Sequence, residues 1–260
     1  MKEYTGPEAT FYDQCFLGLE GDVQFYLEEA QQSGSPVLEI GCGTGRILLP
    51  IAQRGLDITG LDREPAMLAV LRHKLTQLDP QIQSRITLVE DDMRTFLLDR
   101  RFRLITIPYR AFLHLLTPQA QRQTLITIRE HLADDGRLIF NIFDPNLEVI
   151  VAHMGPLGTA QKKDSEFIDP LTGHRVIVWA ITQYDPERQH IEQYFIFEEL
   201  DTDGVMVKKT YRPLTLRYIH RYEMRYLLEL CGYKIDALYG DFQRGPFQYG
   251  GEQVWIVRKS

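Results

Sequence analysis

Cysteine is scarce in this chain: three residues in 260, Cys15, Cys42 and Cys231. An odd count without paired short spacings argues against a disulfide framework and a cysteine-ligated metal, and fits a reducing, cytoplasmic compartment. Basic charge is in deficit too. Lys and Arg number 29 against 36 Asp and Glu, a formal net charge of -7, so the electrostatic footprint of a nucleic-acid or anionic-membrane binder is missing. The pairs Lys162-Lys163 and Lys208-Lys209 are short and read as solvated faces. No segment holds eighteen uninterrupted apolar residues, and the opening MKEYTGPEATFYDQ has no apolar leader region. Neither membrane nor nucleic acid is expected as a partner.

What is present is an alternation. PVLEIG reads as a short apolar strand, GRILLPIAQRG as a helix ended by Gly55, DITGLD as a second strand, and EPAMLAVLRHKLTQL as a helix with Pro65 in its first turn. RITLVEDD and FRLITIPY follow as strands. The stretch from Thr117, an N-cap before Pro118, reads as a helix closing at Asp135-Gly136, and RLIFNIFD as the fifth strand. Residues 19–32 have helical apolar spacing. From Gly155 the pattern changes to three strand-like segments, HRVIVWAITQY, RQHIEQYFIFEEL and VMVKKTYRPL, separated by turn signals. A helix and two more strands, YKIDALYGDF and EQVWIVRKS, end the chain as an expected antiparallel hairpin. The predicted fold class is α/β: a Rossmann-like, doubly wound, mostly parallel seven-stranded sheet with an antiparallel edge strand and an inserted antiparallel β-meander.

Ligands of such sheets bind beyond the carboxyl ends of the strands, where strand order reverses. Gly41, Gly43 and Gly45 lie on the first strand–helix turn, but their spacing is G-x-G-x-G, and Arg46 follows where a dinucleotide fingerprint has no bulky residue. Glu39 stands two residues before the first glycine. A fixed carboxylate there disfavours a pyrophosphate and favours a cationic group. Asp62 ends the second strand, where a carboxylate accepts from both ribose hydroxyls. The third strand ends in EDDMR, whose acid and neighbouring N–H suit an adenine. The ligand so described is a phosphate-free adenosine with a cationic amino-acid tail, which S-adenosylmethionine fits.

VLEIGCGTGR, the acidic end of ITGLD, VEDDMRTF, FRLITIPYRAFLHLLT and HLADDGRLIFNIFDP, together with the closing hairpin, resemble the class I S-adenosylmethionine-dependent methyltransferases of the small-molecule type, over about residues 35–145. The resemblance implies that Glu39, Gly41 and Gly43 line the methionine end, Asp62 the ribose, and Asp92 with the Met93 backbone the adenine. Pro108 and Tyr109 border the sulfonium. Cys42 and Arg46 of the loop complete this set, with Arg63, for which flanking the adenine and simple exposure both stay open. The product is S-adenosylhomocysteine, and no metal is expected. The domains implied are an N-terminal lid over 1–34, a cofactor-binding domain over 35–154 and 213–260, and a substrate-covering insertion over 155–212.

The acceptor of the methyl is expected to be a nitrogen or oxygen of a small molecule. His114, after the fourth strand, is the candidate general base, since imidazole is mostly neutral at pH 7; packing between Leu113 and Leu115 is its other role. Tyr12, in a segment resembling the family's aromatic lid, and Tyr109 share the catalytic set. Arg110 either holds an acidic acceptor or pairs with an acid. Trp179, Tyr211 and Arg217, from the aromatic and basic insertion, complete the acceptor site. A protein or peptide side chain as acceptor, and an inactive cofactor-binding subunit, are the alternatives. The chain is expected to be a monomer or a homodimer.

Overall fold

The computed structural model describes residues 7–155 and 160–260; the first six residues of the expected lid and residues 156–159 of the expected insertion lie outside the described residues. In chain order the helices are α1 (Pro7–Cys15), α2 (Asp22–Ser33), α3 (Leu48–Gln53), α4 (Pro65–Leu75), α5 (Pro80–Gln83), α6 (Pro118–His131), α7 (Leu147–Ala152) and α8 (Arg221–Leu230). The strands are β1 (Val37–Ile40), β2 (Ile58–Asp62), β3 (Ile86–Glu90), β4 (Phe102–Ile107), β5 (Leu132–Phe143), β6 (Lys162–Ile168), β7 (Arg175–Asp185), β8 (His190–Leu200), β9 (Met206–Arg217), β10 (Tyr233–Tyr239) and β11 (Glu252–Lys259). The described residues fall into two compact units, one of residues 18–145 and 219–260, the other of residues 7–17, 146–155 and 160–218.

The larger unit holds a seven-stranded sheet in the order β10-β11-β5-β4-β1-β2-β3. β1 to β5 pair in parallel, and β11 runs antiparallel to both β5 and β10. Parallel strands have both faces covered, so they are apolar runs rather than alternations. All four residues of β1 are buried, as is β4 apart from Arg103. The chain builds outward from β1 to β2 and β3, then returns to lay β4 on β1's other side. The order therefore reverses between β1 and β4, which places the crevice for a ligand at their carboxyl ends.

Local rules hold at most boundaries. The Thr117 side chain caps α6 by accepting the Ala120 N–H at 3.2 Å, and Pro118 occupies the first turn. The helix ends at His131, before the expected Asp135-Gly136, and Leu132 already pairs with Phe102 in β5. The sheet wins because Leu132 is fully buried and residues 133–136 are taken up as an irregularity in the β4–β5 ladder. A Cβ on Gly136 would stand 2.8 Å from the Phe102 carbonyl oxygen, so this glycine serves close backbone approach rather than a helix stop. Helix α7, absent from the sequence reading, is capped by Asn146, whose side chain accepts from Glu148 and Val149 N–H.

The smaller unit has four antiparallel strands in the order β6-β7-β8-β9, one more than the three expected. The added strand, KKDSEFI, is a charged edge strand with only Ser165 and Phe167 half-buried, and edge strands of this kind carry no apolar alternation to read. Its core gathers Val176, Val178, Phe195, Phe197 and Leu214 with Phe11 of α1, whose ring lies 5.5 Å from that of Phe167. Among the described residues no helix is long and apolar enough to cross a membrane.

Candidate functional site

The site begins at the tip of β1. Glu39 stands level with Gly60 on β2 and Thr106 on β4, is 3% exposed, and its Oε2 has no hydrogen-bond partner among the described residues. Burial pushes this carboxyl well above the usual carboxylate range; Arg46 opposes that shift, while Asp62 and Asp22 add to it.

Behind Glu39 the backbone turns three times through left-handed conformation, at Gly41 (φ 70°), Gly43 (φ 52°) and Gly45 (φ 88°). A side chain at Gly41 would crowd Ala111, its Cβ 2.9 Å from the alanine's, and one at Gly45 would strike Leu71 at 2.4 Å. The Gly41 and Cys42 N–H groups both donate to the Leu61 carbonyl, at 2.7 and 3.1 Å. Gly43 N–H donates to Asp62 Oδ2 at 2.8 Å, and Glu64 N–H to Oδ1 at 2.9 Å. Asp62 is raised by burial and held back by these two bonds. Each of its oxygens retains a lone pair for a further donor. The Cys42 side chain is buried in the core beside Gly60, so its thiol is packing material.

At the tip of β3, Asp91 N–H reaches the Asp62 carbonyl at 3.1 Å, and Asp91 Oδ1 accepts the Asp92 N–H at 2.7 Å. Asp92 is engaged more fully than the sequence suggests. Arg94 grips both its oxygens, at 2.9 and 2.6 Å, which holds the carboxyl below its ordinary range. Arg63 adds its charge from nearby and lies 3.4 Å from Glu64. Met93, next in the turn, is half-buried.

After β4 the chain passes Pro108 into two consecutive non-glycine residues in left-handed conformation, Tyr109 (φ 52°) and Arg110 (φ 65°), then a 3-10 turn over Ala111–His114. Such residues cost on the order of 1–3 kcal/mol each and persist where the surroundings over-determine them. The surroundings are polar and connected. Asn141, fully buried on β5, accepts from Tyr109 N–H at 2.9 Å and Tyr26 hydroxyl at 3.0 Å, and donates to Glu252 Oε2 at 2.9 Å. Arg110 is bound by Glu252 through Nε at 3.0 Å and also through Nη2. Of the two roles open for Arg110, the structure shows the ion pair.

Arg46 is also committed: Nη1 and Nη2 bond both oxygens of buried Asp22, at 2.8 and 2.6 Å, and its guanidinium lies 5.1 Å from the Tyr109 ring centre. His114, half-buried at the end of the 3-10 turn, is near enough that its positive form favours the ionised Asp62. Glu39, the glycine loop, Asp62, Arg46, Tyr109 and His114 thus gather at the strand tips of one unit. Tyr12, Trp179, Tyr211 and Arg217 belong to the other. Tyr12 packs on Phe16 at 5.0 Å, Trp179 Nε1 donates to Glu198 at 2.8 Å, and Arg217 is buried and bonded to Gln189. Tyr211 is 63% exposed. Among the described residues no group of three or more His, Cys, Asp or Glu could hold a metal ion.

Four residues of this network escaped the sequence reading: Asp22, Tyr26, Asn141 and Glu252. Asn141 carried a usable signal, an amide inside the apolar run LIFNIF, because a polar group buried in a strand must find partners. Glu252 carried none, since nothing marks a glutamate after a glycine pair.

Residues 37–136 match the family model described as a methyltransferase domain. A curated relative, a dTDP-3-amino-3,6-dideoxy-alpha-D-glucopyranose N,N-dimethyltransferase of Streptomyces fradiae, is 26% identical over 144 residues, 53% of each chain. The chain spans less than half the length of the first curated relatives it matches. Among solved structures, the CcbJ methyltransferase of Streptomyces caelestis superposes with a TM-score of 0.78 at 20% identity, covering 97% of this chain and 96% of that one. CalS10 of Micromonospora echinaspora, an amino pentose methyltransferase, gives 0.66 at 20% identity, covering 96% and 92%. Residues 37–136 thus carry the match to a methyltransferase domain, and the fold of the whole chain is that of these solved methyltransferases.

Proposed function

We propose that this chain transfers a methyl group from S-adenosylmethionine to a nitrogen or oxygen of a small-molecule acceptor, with the amino group of an aminosugar as the first candidate. The observation that carries the reading is the buried Glu39 carboxylate with an oxygen left without a hydrogen-bond partner. A buried carboxylate with two further acids bearing on it calls for a cation with N–H donors. The ammonium of a methionine moiety supplies that, and a pyrophosphate does the opposite. The donor set therefore fits the group.

Bound there, S-adenosylmethionine supplies a sulfonium methyl for in-line displacement. Glu39 holds the ammonium, with Gly41 and Gly43 giving the ligand close passage along the backbone. Asp62 accepts from the ribose hydroxyls on its remaining lone pairs. Asp92 and the Met93 N–H face the adenine, with Arg94 sharing Asp92. Pro108 and Tyr109 border the sulfonium, and His114 takes the proton that an ammonium or hydroxyl acceptor must lose.

The aminosugar reading is supported by the Streptomyces fradiae relative, an aminosugar N,N-dimethyltransferase, and by CalS10, an amino pentose methyltransferase. Its test is incubation with methyl-labelled S-adenosylmethionine and dTDP-3-amino-3,6-dideoxyglucose, alongside a catechol and a lysine-containing peptide. Label on the sugar amine supports the reading. Label on the peptide alone makes the chain a protein methyltransferase, and binding of the cofactor with no label on any acceptor in host extract makes it a non-catalytic subunit.

A further inference from the structure

We propose that Asn141 and Glu252 are positioning residues, which hold the left-handed pair Tyr109–Arg110 and so set the turn that carries Tyr109 and His114. This rests on the reading of the strand tips as the methyl-transfer site. Two side chains fix two consecutive backbone positions. Asn141 binds Tyr109 through its main-chain N–H, and Glu252 binds Arg110 through its guanidinium. The two are joined by the Asn141 Nδ2 to Glu252 Oε2 bond of 2.9 Å. That bond also fixes the amide's orientation, because the nitrogen must face the carboxylate and the oxygen must face the two donors. Without Glu252 the amide loses its carboxylate partner and is free to turn, which releases the Tyr109 N–H; Arg110 is left with its contact on the Phe143 ring, 5.3 Å from its guanidinium, to hold a conformation that arginine rarely adopts.

The test uses the full chain with Glu252→Ala, Glu252→Gln, and each combined with Arg110→Asn, since asparagine tolerates left-handed backbone without a clamp and without glycine's freedom. Hydrogen exchange of unliganded protein is followed across residues 109–114, and affinity for S-adenosylhomocysteine is measured by calorimetry. Glu252→Ala is expected to speed exchange of the Tyr109 amide and its neighbours and to weaken S-adenosylhomocysteine by about tenfold, the loss of one charge-assisted bond. Exchange in β4 and β11 should be unchanged, and Arg110→Asn should restore the part of the affinity that the Arg110 anchor carries, about threefold, while the Tyr109 amide, still without an oriented Asn141, stays fast. Should Glu252→Ala fail to fold, the Glu252→Gln pair carries the same comparison with smaller effects. Exchange rising evenly through the unit, or no rescue by Arg110→Asn, overturns the proposal and leaves an ordinary stabilising ion pair. Wild-type protein that takes up no S-adenosylhomocysteine ends the cofactor reading, while the exchange data still judge the clamp.

Discussion

The Gly43 N–H donates to Asp62 Oδ2 at 2.8 Å, which makes the glycine loop and the tip of the second strand one hydrogen-bonded unit. Asp62 therefore shapes the loop and, in the proposed function, also accepts from the ligand's ribose. Asp62→Ala should weaken S-adenosylhomocysteine by about a hundredfold or more, because loop and ribose bonds go together, each worth roughly 1.5–3 kcal/mol when charged. Asp62→Asn keeps one acceptor oxygen and should lose less. Calorimetry showing equal affinity in all three proteins would remove Asp62 from the site.

Glu39 sets a cost against function. Its folded-state value lies well above the ordinary 4.5, so the folded protein holds that proton more tightly than the unfolded chain. Stability of unliganded protein should therefore rise as pH falls from neutral toward 4.5, and the neutral-pH deficit belongs to the ionised form. Glu39→Gln should raise the neutral-pH melting temperature by several degrees, from about 1–3 kcal/mol of relieved burial, and flatten this part of the pH profile. It should also weaken S-adenosylhomocysteine. A lower melting temperature with unchanged affinity would contradict both halves.

Gly45 is the most constrained of the loop glycines, with φ 88° and a Leu71 carbon 2.4 Å from where a Cβ would be. Gly45→Ala should cost about 2 kcal/mol or more, since strain and overpacking act together. Chemical denaturation measures it, and a cost under about 0.5 kcal/mol would mean that α3 and α4 give way easily.

His114→Gln should leave S-adenosylhomocysteine affinity unchanged and slow labelling of the acceptor about a hundredfold, the usual contribution of a general base. Full turnover in this variant returns His114 to packing.

The layers of the larger unit were legible because parallel strands and their helices write long apolar periods, and because VLEIGCGTGR places three glycines behind an acid. Glu39 and Asp62 stood out for a related reason: one acid interrupts the apolar strand β1 and the other is the last residue of the apolar strand β2. What escaped was polar pairing, short-range and long-range alike. Asp92 reads as an idle acceptor until Arg94 is seen across its two oxygens, and Arg110 reads as available until Glu252, 142 residues later, is seen on it. Strand β6 escaped because a charged edge strand needs only one neighbour and buries little. The end of α6 escaped because Asp135-Gly136 is a stop signal locally, while the sheet takes Leu132 first.

The most direct measurement is a pair of calorimetric titrations of the wild-type chain, one with S-adenosylmethionine and one with NAD. Acidic side chains at the tips of β1, β2 and β3 predict stoichiometric binding of the sulfonium nucleoside and none of the dinucleotide. Binding of NAD, or folded protein that takes up no S-adenosylmethionine, would contradict the account.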